Sequence, residues 1–148
     1  MDIYIPKSVF VDTNVMLDDI LIREGTESAK KILELGVRKQ IRICLSALSV
    51  VNISYITRKV LSREKLYELF AKYIRHFVIF NNYGMDVYEC IQSDNPDFED
   101  AMQLRCATIE HVDAIVTNNK KHFAPYTDTP VYTPDELLAK LRGETPTP

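Results

Sequence analysis

Short apolar runs rich in valine, isoleucine and phenylalanine alternate along this chain with longer segments of helical periodicity. The strand-like runs cover residues 8–11, 41–45, 77–80 and 113–117, and a weaker run covers 130–132. The helical patterns cover residues 26–39, 47–59, 63–75, 85–92 and 96–110. Strands that alternate with helices need crossover connections, which place the strands parallel and the helices on both faces. We therefore predict a three-layer α/β/α fold with a mainly parallel central sheet of roughly five strands.

Several helix ends carry their own signals. Asn95 followed by proline predicts a helix N-cap with Pro96 at the first helical position. Thr133 and Glu136 form a capping-box pattern that opens the last helix, and Gly143 predicts its end. We expect residues 1–142 to form a single domain and residues 143–148 to form a flexible C-terminal tail.

Composition and charge narrow the class of protein. The formal net charge of -3 argues against a protein that coats nucleic acid through charge alone, but it leaves room for an enzyme with a local site. No apolar run approaches the ~20 residues of a membrane span, and no signal-peptide pattern opens the chain. We therefore expect no membrane association and a cytoplasmic location.

Cysteine and histidine spacing gives no indication of zinc. The three cysteines are predicted to be reduced, buried thiols of an intracellular protein: Cys44, Cys90 and Cys106. The three histidines show no ligand spacing and are expected to be surface or core residues: His76, His111 and His122.

Acidic residues stand at positions where this type of fold places its chemistry. Asp12 directly follows the first apolar run, and open α/β sheets bind ligands at the carboxyl ends of their strands. Asp12 alone is equally well explained as a helix cap. Asp100 shares a helical stripe with Leu104 and Ala107, and a carboxylate on an apolar stripe needs a partner. Asp113 opens the fourth apolar run, where it could also serve as a cap or turn residue.

Further polar residues accompany these acids. Asp97 and Glu99 lie in a first helical turn, where acids also simply complement the helix dipole. Thr117, Asn118 and Asn119 form a polar loop after the fourth strand, beside the end of the first. Oxygen ligands that converge at strand ends suit Mg²⁺ or Mn²⁺, which can activate water and stabilise charge on a phosphodiester oxygen.

Three stretches of the chain resemble PIN-domain ribonucleases. Residues 9–15 (VFVDTNV) resemble the first-strand motif, 97–101 (DFEDA) the central helix, and 113–123 (DAIVTNNKKHF) the fourth strand and its following loop. Residues 131–138 are similar to the last strand and helix of the family. The resemblance spans nearly the whole chain and implies a Mg²⁺- or Mn²⁺-dependent endoribonuclease. Many small members are VapC-type toxins, so the implied partners are an RNA substrate and a cognate antitoxin.

The resemblance also implies residue roles. The implied catalytic residues are Asp12, Asp100 and Asp113, and Asn119 joins these three as an implied metal ligand. The implied supporting residues are Thr13, Asn14, Asn52 and Thr117, and Asp97 and Glu99 are expected to support the site by compensating for the missing acids. Asn52 and Asn119 stand where the family commonly carries acids, and His122 stands where it carries a later aspartate. Because fewer anionic ligands weaken metal binding, the alternative is a catalytically degenerate domain that binds RNA or a protein partner.

Other signals leave alternatives open. Arg105, Lys120 and Lys121 are predicted phosphate contacts. The interleaved basic and aromatic residues of 58–75 either track an RNA backbone or form a solvated helix face. The apolar segments 17–22 and 50–56 form either a partner face, as in a homodimer, or part of the core. Residues 12–15 also faintly resemble the nucleophile motif of haloacid-dehalogenase-like phosphatases, but Asn14 removes the general acid of that chemistry.

Overall fold

The five predicted strands form one sheet in which every neighbouring pair is parallel. The structure is a computed structural model that describes residues 5–23 and 26–143. Its strands are β1 (Ser8–Val11), β2 (Arg42–Ser46), β3 (Val78–Phe80), β4 (Ala114–Val116) and β5 (Val131–Tyr132). Their order across the sheet is β3-β2-β1-β4-β5. The predicted parallel, five-stranded sheet is confirmed.

Most of the helices that connect the strands lie close to the predicted helical patterns, whereas the helix over residues 13–20 was anticipated only through the apolar segment 17–22. The α-helices are α1 (Thr13–Ile20), α2 (Thr26–Val37), α3 (Ala47–Thr57), α4 (Arg63–Tyr73), α5 (Gly84–Ile91), α6 (Phe98–Ile109) and α7 (Pro134–Leu141). Single 3₁₀ turns cover Ile74–His76, Lys120–His122 and Ala124–Tyr126.

The sheet separates two apolar layers. Val9 and Val11 of β1 point to one face, where they join buried side chains of α1, α2, α3, α4 and α7. Phe10 points to the other face and packs with buried residues of α6, such as Leu104 and Ala107. Because successive strand residues face opposite sides, a strand buried on both faces reads as a continuous apolar run. This arrangement confirms the three-layer α/β/α fold.

Of the two predicted helix N-caps, the one for α6 is wrong and the one for α7 is confirmed. The prediction that Asn95 caps α6 is wrong, because the cap is Asp97, whose Oδ1 accepts a hydrogen bond from the Asp100 N–H at 3.0 Å. Asn95 instead accepts from the Asp97 N–H, which forms a turn just before the helix. The predicted cap of α7 is confirmed, since Thr133 Oγ1 accepts from the Glu136 N–H at 3.2 Å.

The three cysteines are buried and unpaired, as predicted. Burial raises the pKa of Cys44 to about 11 and that of Cys106 to about 12, so both are neutral thiols near pH 7. A protonated thiol is a poor metal ligand, and these residues are packing groups.

The helices of residues 5–23 and 26–143 are all too short or too polar to cross a membrane. The domain limits of 1–142 stay a prediction. Of the predicted tail, all but Gly143 lies outside the described residues.

Candidate metal centre

Polar residues gather where three neighbouring strands end. Asp12 follows β1, Ser46 ends β2 and Thr117 follows β4, and all three are buried. The strand order reverses at β1, with β2 and β3 on one side and β4 and β5 on the other. At such a reversal the chain leaves the sheet in opposite directions, which opens a crevice at the carboxyl edge where ligands bind.

Asp12 is held by side chains from distant parts of the chain. It occupies the N-cap position of α1, but its side chain makes no capping hydrogen bond. Instead its Oδ1 accepts from Gln103 Nε2 at 3.0 Å and its Oδ2 accepts from Thr117 Oγ1 at 2.8 Å. Burial raises the pKa of Asp12, and these two hydrogen bonds partly oppose that rise. Asp12 therefore stands at the N-cap position of α1, and both of its carboxylate oxygens are held by side chains of distant elements.

Gln103 connects Asp12 to two other elements, and sequence reasoning did not single it out. From α6, its Oε1 accepts from the Thr13 N–H at 3.1 Å, and the Ser49 hydroxyl of α3 lies 3.4 Å away. Ser49 is in turn 2.9 Å from the Ser46 hydroxyl. One signal was available: Gln103 is three residues after Asp100, on the stripe predicted to face the protein.

Glu99 lies beside Asp12 at the start of α6. Burial raises the pKa of Glu99, a hydrogen bond from Asn52 lowers it, and the charge of Asp12 raises it further. Asn52 therefore reaches this edge from α3. Its amide contacts a carboxylate there and adds no charge of its own.

Asp100 is the second deeply buried acid of the edge. Burial raises its pKa to about 6, a hydrogen bond with His122 lowers it, and the charges of Asp12 and Asp97 raise it. Asp12 is thus close enough to disfavour ionisation of Asp100. The predicted partner of Asp100 is His122, whose Nδ1 lies 2.7 Å from Asp100 Oδ2.

His122 belongs to the site, although its spacing in the sequence indicated a surface or core residue. It lies in the turn after β4, where Asn119 Nδ2 is 2.6 Å from its Nδ1. The Asn119 N–H donates to Thr117 Oγ1 at 2.9 Å, which ties this turn to the hydroxyl that holds Asp12. Ligand atoms of Asp97, Asp100 and His122 all lie within 4.8 Å of one another.

Asp113 is not brought to this edge. It precedes β4, whereas Asp12 follows β1, and parallel neighbours start at the opposite edge from the one at which they end. Its Oδ2 accepts from the backbone N–H groups of Lys7 and Ser8, at 2.9 and 3.1 Å. The expectation that Asp113 shares a metal site with Asp12 and Asp100 is therefore corrected: Asp113 fastens the start of β1 to the start of β4.

The predicted phosphate contacts and two supporting residues are placed as follows. Arg105 forms an ion pair with Asp86 of α5, and Lys120 pairs with Glu136 of α7. Lys121 and the side chain of Asn14 are exposed, whereas Thr13 is buried beside Gln103. Neither Arg105 nor Lys120 compensates the charge of the acids around Asp12.

The donor set fits a divalent cation. Ligand atoms of Asp97, Asp100 and His122 lie together, the Asn119 amide contacts His122, and the charge of Asp12 acts on both Glu99 and Asp100. Within residues 5–23 and 26–143, no lysine or arginine forms an ion pair with these carboxylates. Mutual repulsion among closely placed acids is relieved by a bound cation, and oxygen-rich sites select hard ions.

The fold and this edge define an α/β protein with an acidic centre at its switch point, and comparison with known proteins identifies its family. The model of the PIN domain matches residues 8–121, so the chain belongs to the PIN domain family. Comparison with curated protein sequences gives no match.

Solved structures of toxin–antitoxin proteins share the fold. DNA-bound VapBC from Salmonella typhimurium aligns with a TM-score of 0.65 at 17% identity, covering 86% of this chain and 98% of that one. VapBC2 from Rickettsia felis, bound to a promoter DNA fragment, aligns with a TM-score of 0.65 at 17% identity, covering 84% and 96%. VapC20 from Mycobacterium tuberculosis, a sarcin-ricin loop cleaving toxin, aligns with a TM-score of 0.62 at 12% identity, covering 81% and 97%.

Proposed function

We propose that the protein is a Mg²⁺- or Mn²⁺-dependent endoribonuclease that hydrolyses RNA phosphodiester bonds. The observation that carries this proposal is the group of carboxylates at the carboxyl edge. Burial raises the pKa values of Asp12, Glu99 and Asp100, and the charge of Asp12 adds to the rise at the other two. Membership of the PIN domain family, which generally uses divalent metal ions, supports the same proposal.

In this proposal each residue at the edge has a defined task. Asp12 and Asp100 hold the ion through carboxylate oxygens. When bound, such an ion activates a water molecule and stabilises charge on the phosphodiester oxygens. Gln103 and Thr117 fix both oxygens of Asp12, so the ligand is oriented before the ion arrives. Glu99, with Asn52 against it, is a further acid that can accept a proton from water or orient it.

The test is cleavage of a labelled RNA by purified protein in Mn²⁺, compared with two variants. Asp12→Asn should abolish cleavage, because it removes a charged ligand while keeping the side-chain volume. Asp113→Asn is the matched control and should cleave like the native protein, since Asp113 lies at the opposite edge of the sheet. Cleavage that persists in Asp12→Asn, or that survives EDTA, would contradict the proposal.

A second candidate function is a catalytically degenerate domain that binds RNA or a protein without cutting it. The amides of Asn52 and Asn119, at positions where the family commonly has acids, favour it because they reduce the charge available to an ion. Calorimetry with Mn²⁺ separates the two candidates. No metal uptake at millimolar Mn²⁺ favours the degenerate domain.

We also propose that the chain is the toxin of a toxin–antitoxin pair and forms a homodimer. The shared fold with the VapBC proteins supports the first proposal.

Exposed apolar side chains of α3 support a partner face: Val51 and Tyr55 are each 63% exposed. Of the two apolar segments considered as partner faces, 17–22 largely packs into the core through Leu17 and Ile20. Light scattering on the isolated protein measures its mass and tests the homodimer. The cytoplasmic location stays a prediction.

A further inference from the structure

The cluster of Asp97, Asp100 and His122 brings a nitrogen ligand into an otherwise oxygen-rich edge. Its ligand atoms come from two places, the start of α6 and the turn after β4, and lie within 4.8 Å of one another. Asn95 Nδ2 donates to the backbone oxygen of His122 at 2.7 Å, which fixes the turn that carries the imidazole. The fold therefore fixes the backbone of His122, and its imidazole can still adjust.

Two polar groups, Asp100 and Asn119, meet at His122 Nδ1. Nδ1 lies 2.7 Å from Asp100 Oδ2 and 2.6 Å from Asn119 Nδ2. With a proton, Nδ1 donates to Asp100 Oδ2; without one, it accepts from the Asn119 amide or from a protonated Asp100. A bound ion can accept one lone pair from Nδ1 and another from Asp100, so no proton is needed between these two atoms. A flip of the Asn119 amide then offers its Oδ1 as well.

The spacing also fits a coordination shell. Neighbouring ligands in an octahedral shell with metal–ligand bonds of about 2.1 Å lie about 3.0 Å apart. Asp100 Oδ2 and His122 Nδ1 are 2.7 Å apart, so only a small movement admits an ion between them. His122 is partly exposed, with 23% of its side chain accessible, and can make that movement without disturbing the core.

A nitrogen ligand changes which ion the site prefers. Mg²⁺ selects oxygen ligands in a strict octahedron, whereas imidazole favours first-row transition metals over Mg²⁺. We propose that His122 is a nitrogen ligand of the bound ion and that the edge therefore selects Mn²⁺, or another first-row divalent ion, over Mg²⁺. This inference rests on the proposed function only in that the same edge binds a cation.

Metal binding without RNA tests the inference. Pulsed electron paramagnetic resonance of the native protein with Mn²⁺ should show coupling to an imidazole ¹⁴N, and Mg²⁺ should displace Mn²⁺ only at tenfold or greater excess. His122→Asp should lose the ¹⁴N coupling and narrow the Mn²⁺ over Mg²⁺ preference to near parity, because an oxygen replaces the nitrogen. His76→Asp, in the turn before β3, is the matched control and should keep both signals. His122→Asn repeats the test if His122→Asp fails to fold.

The possible outcomes separate this inference from the nuclease proposal. Bound Mn²⁺ without nitrogen coupling, or an unchanged ion preference in His122→Asp, overturns the inference and leaves the nuclease proposal standing. Nitrogen-coupled Mn²⁺ in a protein that cleaves no RNA overturns the nuclease proposal alone. Absence of Mn²⁺ binding by the native protein overturns both.

Discussion

Replacing Asp100 with asparagine should make the metal-free protein more stable at neutral pH. Folding raises the pKa of this buried carboxyl from 3.8 to about 6, chiefly through burial. A difference of about 2 pKa units corresponds to roughly 3 kcal/mol at full effect, since each unit is worth about 1.4 kcal/mol. We expect roughly 2–3 kcal/mol of added stability in Asp100→Asn at pH 7.5, because asparagine has the same shape and no charge to bury.

The pH dependence of this effect has a definite sign. An acid whose pKa is higher in the folded state binds its proton more tightly when folded. The native protein therefore loses stability from Asp100 as pH rises from 3.8 to about 6, and the loss is complete above that range. Asp100→Asn has no such titration. The two proteins should differ at pH 7.5 and converge near pH 3.5.

Urea unfolding with EDTA, followed by circular dichroism at several pH values, measures the difference. Only the native protein gains stability from Mn²⁺, so a concentration of 100 Kd, worth about 2.7 kcal/mol, should roughly cancel the difference at pH 7.5. A concentration of 1,000 Kd, worth about 4.1 kcal/mol, should reverse the order. The reasoning is refuted if Asp100→Asn is the less stable protein in EDTA at pH 7.5. It is equally refuted if the difference does not change with pH.

Two further substitutions test the hydrogen bonds around the edge. Gln103→Leu should destabilise the protein by roughly 2–4 kcal/mol, because it leaves the buried Thr13 N–H and Asp12 Oδ1 without their partner. Urea unfolding checks this value, and Gln92→Leu, at the exposed end of α5, should be close to neutral. Asp113→Asn should lower the free energy of unfolding by about 1 kcal/mol, because it weakens the hydrogen bonds that the Lys7 and Ser8 N–H groups donate at the start of β1. Calorimetry should find the Mn²⁺ affinity of this variant unchanged.

The fold was predictable because its signals are local. Runs such as residues 8–11 are apolar on both faces, as a central parallel strand must be. This pattern depends only on neighbouring residues, so it can be recognised without knowing the rest of the structure. The start of α6 was less predictable, because Asn95 and Asp97 are both good caps. The choice between them depended on which oxygen could reach the N–H of Asp100.

The site was predictable only where position along a strand determined it. Asp12 and Thr117 follow their strands, so a parallel sheet necessarily brings them to one edge. Asp113 precedes its strand, and the same rule sends it to the opposite edge. Asp113 is the first residue of its apolar run, which was visible in the sequence. That position predicts the opposite edge, whereas the resemblance of the surrounding motif had implied a place in the metal site.

The sequence by itself determined the order and type of the elements, and it determined that Asp12 stands at a strand end. The tertiary structure decided which side chains meet Asp12, because Gln103 is 91 residues away along the chain and His122 meets Asp100 across 22 residues. It also decided the raised pKa values, since burial depends on what packs around a carboxyl. Hydrophobic periodicity is a property of neighbouring residues, whereas a metal centre is formed by distant residues that packing brings within a few ångströms.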